Sequence, residues 1–218
     1  MKKKDFIIVF AWPEGMVTAS GAWYDKFFSK NGKYRVGHAA LILVDSNSKK
    51  LYYMDNGRYH APKGYSRIRD EKTDHDVKMS MLAEIKDGDI LNIEEILKET
   101  AKKKANHGEG TLYASILSAV DFHSAYSYAK KEQEKGAIPY GPFIFNGTNC
   151  SRFVASTIIN ANPPLITKLR LKFPFCIVPS PKRNVSICNK NYYVVNNSLF
   201  KKVNRNALTG YFKSIERC

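Results

Sequence analysis

The chain of 218 residues is 44% hydrophobic and 12% aromatic, which suits one core-forming domain over 1–218 and excludes intrinsic disorder. Its formal net charge is +15, and residues 151–218 hold twelve Lys or Arg against the single acid Glu216, a field that attracts anions. The four cysteines, Cys150, Cys176, Cys188 and Cys218, show neither C-x-x-C nor zinc spacing, so we expect free thiols in a reducing cytoplasm, with no metal and no disulfide framework.

Lys2, Lys3 and Lys4 precede an apolar run from Phe6 to Trp12 that imitates a short signal peptide. The run stops at Pro13-Glu14-Gly15 without a small-residue cleavage site, so Asp5–Ala11 is read as a buried first strand. No stretch reaches the ~20 apolar residues of a membrane span. A short helix is expected around Ala22–Ser29, before the Asn31-Gly32 turn. Val36–Asp45 is almost continuously apolar, as a central strand covered on both faces should be. Lys50–Asn56 follows Ser46-Asn47-Ser48 and completes a hairpin. Val77, Met79, Met81, Ala83 and Ile85 alternate, which predicts a half-buried strand over Val77–Ile85.

Asp87-Gly88-Asp89 turns the chain into a helix from Ile93 to Lys104, and Asn106–Gly110 reads as a loop. Leu112, Ile116, Ala119 and Val120 suggest one long helix over Thr111–Lys135, stopped by Gly136. Pro139–Asn149 is a loop, and Ser151–Asn160 a helix that Pro163-Pro164 ends. Phe175–Val178, Val185–Cys188 and Tyr192–Val195 are strand candidates, with a rigid turn at Pro179-Ser180-Pro181. Hairpins outnumber parallel crossovers, so the class is α+β.

The chemistry centres on Asn149-Cys150-Ser151-Arg152-Phe153-Val154. Asn149 is an N-cap residue type, so Cys150 falls in the first turn of a helix. Unpaired N–H groups and the positive dipole end there favour a nucleophilic thiolate. The plainer alternative is a small buried hydrophobe. A nucleophilic thiol needs a base, usually His, held by a third polar group. Of the five histidines, His75 and His107 lie in polar, solvated stretches, His123 falls inside a helix, and His60 follows the hairpin. His38 opens the most apolar strand, where an imidazole demands a partner. If Val44 pairs with Leu51, His38 faces Gly57, and Asp55 lies two residues away on the same face. Asp55 could then hold the imidazole, whereas a one-residue slip would turn it away. On that assignment Asp55→Asn should cost activity and leave the fold intact.

Gly37-His38-Ala39-Ala40, an acidic strand residue, and then Asn149-Cys150-Ser151-Arg152 resemble the circularly permuted NlpC/P60 superfamily. In its lecithin–retinol acyltransferase-like and YiiX-like branch the His strand precedes the Cys helix. Trp12-Pro13, Tyr24-Asp25 and Tyr140-Gly141-Pro142 also resemble a bacterial group within it that carries a domain of unknown function. The resemblance implies a papain-like fold with helices packed on an antiparallel sheet. It implies Cys150 as nucleophile, His38 as base and Asp55 as the orienting residue. It also offers Tyr140 as an oxyanion donor, the other reading of which is a core aromatic. The usual Asp before the Cys is Asn149 here, which still caps a helix.

The implied function is a cofactor-free cysteine hydrolase, an amidase, peptidase or acyl-ester hydrolase, with a lipid acyltransferase or thioesterase of the same fold as the alternative. The substrate would be a small acyl, peptide or lipid molecule. If Lys168, Arg170, Lys172, Lys182 and Arg183 border the cleft, Lys182 and Arg183 would favour an anionic one. A basic nucleic-acid module is the rival from another class, as is a papain-like binding protein without turnover. The sequence carries no helix-turn-helix, RRM or zinc pattern, so no specific nucleic acid is expected.

Overall fold

The computed structural model describes residues 5–18, 25–35, 37–141, 144, 146–173, 180–197 and 199–206. Their order is β1 (Asp5–Trp12), β2 (Met16–Thr18), α1 (Asp25–Phe28), β3 (Lys33–Arg35), β4 (His38–Val44), β5 (Leu51–Gly57), β6 (Tyr65–Arg69), β7 (Ile85–Lys86), β8 (Asp89–Ile90) and α2 (Ile93–Lys102). There follow β9 (Leu112–Val120), α3 (Phe122–Gln133), β10 (Ile138–Pro139), α4 (Cys150–Asn160), α5 (Leu165–Lys172), α6 (Pro181–Cys188), β11 (Tyr192–Asn196) and β12 (Leu199–Val203).

Eight strands form one sheet in the order β10-β6-β5-β4-β1-β9-β11-β12, antiparallel at every described pairing of named strands. The two most apolar runs, β1 and β4, are neighbours at its centre and are covered on both faces. Ile7, Val9, Leu41 and Leu43 pack with Phe153, Val154 and Ile158 of α4 and with residues of α3, α5 and α6. Phe6, Ile8, Phe10, Ala40 and Ile42 face the opposite core, with Ile93, Ile96 and Leu97 of α2. Alternation sends successive residues to the two layers, so these strands carry no polar face.

Four sequence expectations are corrected. Leu112–Val120 is a central strand rather than the first half of a helix. Apolar residues four apart share a face at period 2 as well as at period 3.6, so the pattern fitted both. The true helix starts where Asp121 accepts a hydrogen bond from the Ser124 backbone N–H at 3.0 Å. Ala119 is skipped as the pairing shifts between Asp5 and Phe6, and takes φ +59°, the geometry of a bulge that ends the strand. Val77–Ile85 is no strand: a 3₁₀ turn over His75–Val77 leads to irregular chain. Its alternation still buries Val77, Met79 and Ala83. Val185–Cys188 lies in α6 rather than in a strand, and Ser180 and Pro181 of the expected turn start that helix, while Pro179 lies outside the described residues. Ser180 caps it and Pro181 occupies its first turn, a combination that favours helix initiation. Phe175–Val178 lies outside the described residues.

Candidate active site

The β4–β5 hairpin pairs Val44 with Leu51 and Ala40 with Asp55, the register that keeps Asp55 on the face of His38. The His38 Nε2 lies 3.1 Å from Asp55 Oδ2. Gly37, just before it, has φ +67°, and a Cβ there would come within 2.3 Å of the Trp12 carbonyl oxygen. Only glycine lets the chain cross β1 so closely as it enters β4. The indole of Trp12 stacks on the imidazole, with centroids 5.9 Å apart, and Tyr59 meets it edge-on at 6.1 Å.

Asp55 is fully buried and has two further partners. Arg69, its cross-strand neighbour on β6, donates from Nε to Oδ1 at 2.9 Å and from Nη2 to Oδ2 at 2.7 Å. Tyr53 donates its hydroxyl to Oδ2 at 3.1 Å. The Arg69 guanidinium also lies 3.7 Å from the centre of the Tyr59 ring. Burial works against the Asp55 charge, but the hydrogen bonds from His38 and Arg69 prevail and hold its pKa down at about 2.

Cys150 begins α4, where Asn149 Oδ1 accepts from the Arg152 backbone N–H at 2.8 Å. The loop before it is pinned by backbone bonds from Tyr140 to Gly64 and from Thr148 to Pro139, each 2.9 Å. The thiol is hydrogen-bonded to His38, and receives the Ala39 backbone N–H. With Nε2 on Asp55, the imidazole has Nδ1 left for the sulfur. Burial raises the thiol's pKa, but the His38 hydrogen bond and charge outweigh it and the net shift is downward. Burial likewise disfavours the imidazolium, and Asp55 and Cys150 outweigh that too, raising His38 to about 9. Both shifts favour a thiolate beside an imidazolium.

This pairing fixes how stability depends on pH. With the proton on His38 rather than on sulfur, the folded pair keeps one proton above 6.5, as the unfolded pair does until its ordinary thiol titrates at ~8.5. Equal proton counts give no slope. The ion pair's stabilisation is lost as pH falls through the lowered pKa of Cys150, and again as it rises through that of His38. With Cys150 replaced by serine, only His38 titrates, and the part of its stabilisation that Asp55 supplies is complete below 6.5 and declines as pH rises. We therefore expect the melting temperature of Cys150→Ser to fall as pH rises above 6.5, while that of wild type stays level until the unfolded thiol titrates. Parallel curves in a thermal-shift titration would mean that no ion pair forms.

A cleft of about 320 Å³ opens beside His38 and is lined by Asn56, Arg58, Tyr59, His107 and Tyr140 among others. Tyr140 thus reaches the site, with the Arg58 guanidinium 5.7 Å from its ring centre. His107 stays exposed, as expected, while its ring stacks on Tyr59 at 4.4 Å. Burial and then the Arg69 charge lower its pKa. None of Lys168, Arg170, Lys172, Lys182 and Arg183 is among the residues lining the cleft. The helix started by Pro181 carries Lys182 over the Tyr113 ring at 4.5 Å instead. The lining charges are mixed, Arg58 with Glu109, which gives an anionic substrate no clear preference. Sequence reasoning missed Arg69, Tyr53, Asn56, Tyr59 and His107. For Arg69 a signal existed, since extending the antiparallel register by one strand puts it opposite Asp55.

Among the described residues no group of three or more His, Cys, Asp or Glu could hold a metal ion, and no helix is long and apolar enough to cross a membrane. The chain superposes on the crystal structure of the type VI secretion system effector TseH with a TM-score of 0.61, over 91% of this chain and 97% of that one, at 18% identity. At that identity the likeness establishes the fold, which is papain-like α+β. No curated protein matches the sequence. A family model described as type VI secretion system effector TseH-like matches residues 7–164.

Proposed function

This chain belongs to the type VI secretion system effector TseH-like family, and we propose that it is an effector that cleaves an amide or ester bond by cysteine-based acyl transfer. The observation that carries the reading is the hydrogen-bonded line Asp55–His38–Cys150, with the thiol at a capped helix start. The Cys150 sulfur attacks the carbonyl carbon and forms the C–S bond, and the carbonyl electron pair moves onto oxygen. The helix-start N–H groups and the Tyr140 hydroxyl offer donors for that oxygen. When the pair returns, the bond to the leaving group breaks and His38 supplies its proton. Water then attacks the thioester, His38 takes the proton and the thiolate departs. Asp55 holds the ring so that one nitrogen faces the sulfur throughout. The order of His38 before Cys150 supports the circularly permuted branch of NlpC/P60 proteins. An effector of a secretion system leaves the cell that makes it, so we propose the cytoplasm as its place of synthesis rather than of action.

Iodoacetamide at mildly acidic pH should label Cys150 ahead of the other thiols. Cys188 is the described comparison: its burial pushes its pKa up to about 12, which leaves almost no thiolate to react. Peptide mapping that found Cys188, Cys176 or Cys218 alkylated first would sink the assignment.

A further inference from the structure

We infer that the Asn56 carboxamide is a catalytic hydrogen-bond donor, placed to hold the substrate oxygen that becomes negative when Cys150 attacks. The inference rests on the acyl-transfer reading above. Asn56 is fully buried, yet neither its Oδ1 nor its Nδ2 has a hydrogen-bond partner. Buried side-chain amides are almost always paired, and an exception calls for a reason. Here the reason is position. Asn56 lines the cleft together with His38 and Tyr140.

The pleat gives its direction. Asp55 turns to His38 on the α2 side of the sheet, so the next residue of β5 turns to the α4 side. The register beyond Ala40 and Asp55 sets Asn56 opposite Ala39. Ala39 packs in the core that contains Cys150, and its backbone N–H is bonded to the Cys150 sulfur. The carboxamide thus lies on the nucleophile's side of the sheet, in the wall of the cleft, with two donor hydrogens unused. A neutral donor suits this place: it steadies a developing oxyanion without drawing charge from the resting thiolate, as a second cation would. During attack the carbonyl electron pair moves to the oxygen facing Nδ2. It returns when the leaving group, protonated by His38, departs. Asn56 itself gains and loses no proton.

The test compares two reactions of the same sulfur. Acylation by p-nitrophenyl acetate passes through an oxyanion, whereas alkylation by iodoacetamide displaces iodide and does not. In Asn56→Ala we expect the acylation rate constant to fall by roughly a hundredfold to a thousandfold, with the alkylation rate of Cys150 and its pH profile unchanged. The melting temperature should hold or rise, because an unpaired buried amide is removed. Asn56→Leu, which keeps the volume and deletes both polar atoms, should behave alike and serves if alanine disturbs the packing. Acylation at the wild-type rate in both variants would overturn the role. So would a parallel loss of acylation and alkylation with a lowered melting temperature, which would make Asn56 structural. A wild-type Cys150 that alkylates but is never acylated would instead refute the acyl-transfer reading itself.

Discussion

Replacing His38 by alanine is expected to slow iodoacetamide alkylation of Cys150 at pH 6 by about a hundredfold. In the native site the thiol's pKa is lowered because the imidazole donates to it and carries a positive charge beside it. Without that ring the Ala39 N–H and the helix start remain, but burial, the largest influence and one that raises the pKa, is no longer offset by a charge. An ordinary thiol with pKa ~8.5 is only about 0.3% thiolate at pH 6. The higher intrinsic nucleophilicity of a more basic sulfur returns part of the loss, which leaves roughly two orders of magnitude. The rate should also regain a steep rise with pH through the ordinary thiol range, where the lowered pKa of the wild-type thiol makes its profile flatter. A variant alkylated at the wild-type rate at pH 6 would mean that the sulfur is activated by the helix alone.

The second large effect concerns stability. Arg69→Met should destabilise the fold by about 3–5 kcal/mol, the usual cost of leaving one partner of a buried ion pair without the other. Arg69 and Asp55 are both buried and share two hydrogen bonds, so no water can replace the lost guanidinium. The same reasoning revises what the sequence suggested for Asp55→Asn. That change strands the Arg69 charge, so it should cost stability of similar size as well as activity. Combining Arg69→Met with Asp55→Asn should recover much of the loss, since each removes the charge that the other leaves alone. Urea unfolding of the four proteins measures the coupling. Strictly additive losses would show that the two side chains act independently.

Much of this site could be read from residue types and spacing. His38 stood out because an imidazole in a wholly apolar strand needs a partner. A hairpin with an even turn then nominated Asp55, and the structure has the register on which that depended. Asn149 marked the helix start and with it the place of Cys150. What escaped was set by contacts between segments distant in the chain. Leu112–Val120 has a spacing compatible with two periods, and only its seat between β1 and β11 makes it a strand. His107 stays exposed, and only its stacking on the Tyr59 ring, a contact between segments remote in the chain, places it beside the cleft. Asn56 resembles any polar residue at a strand end until the packing on both sides is known.

His38 and Asp55 are partners within one hairpin, while Cys150 arrives on a helix that starts more than ninety residues after the hairpin ends. Contacts between near neighbours form with little loop-closure entropy, and those between remote segments come at a larger entropic cost and later. The His38–Asp55 half of the site can therefore assemble as soon as β4 meets β5, with β6 adding Arg69. Cys150 meets it only once α4 has docked over the completed centre of the sheet. Until then the sulfur lacks its imidazole and stays an ordinary, mostly protonated thiol. Chemical reactivity is thus a reporter of finished folding: a chain still partly unfolded carries Cys150 as a slow, ordinary thiol.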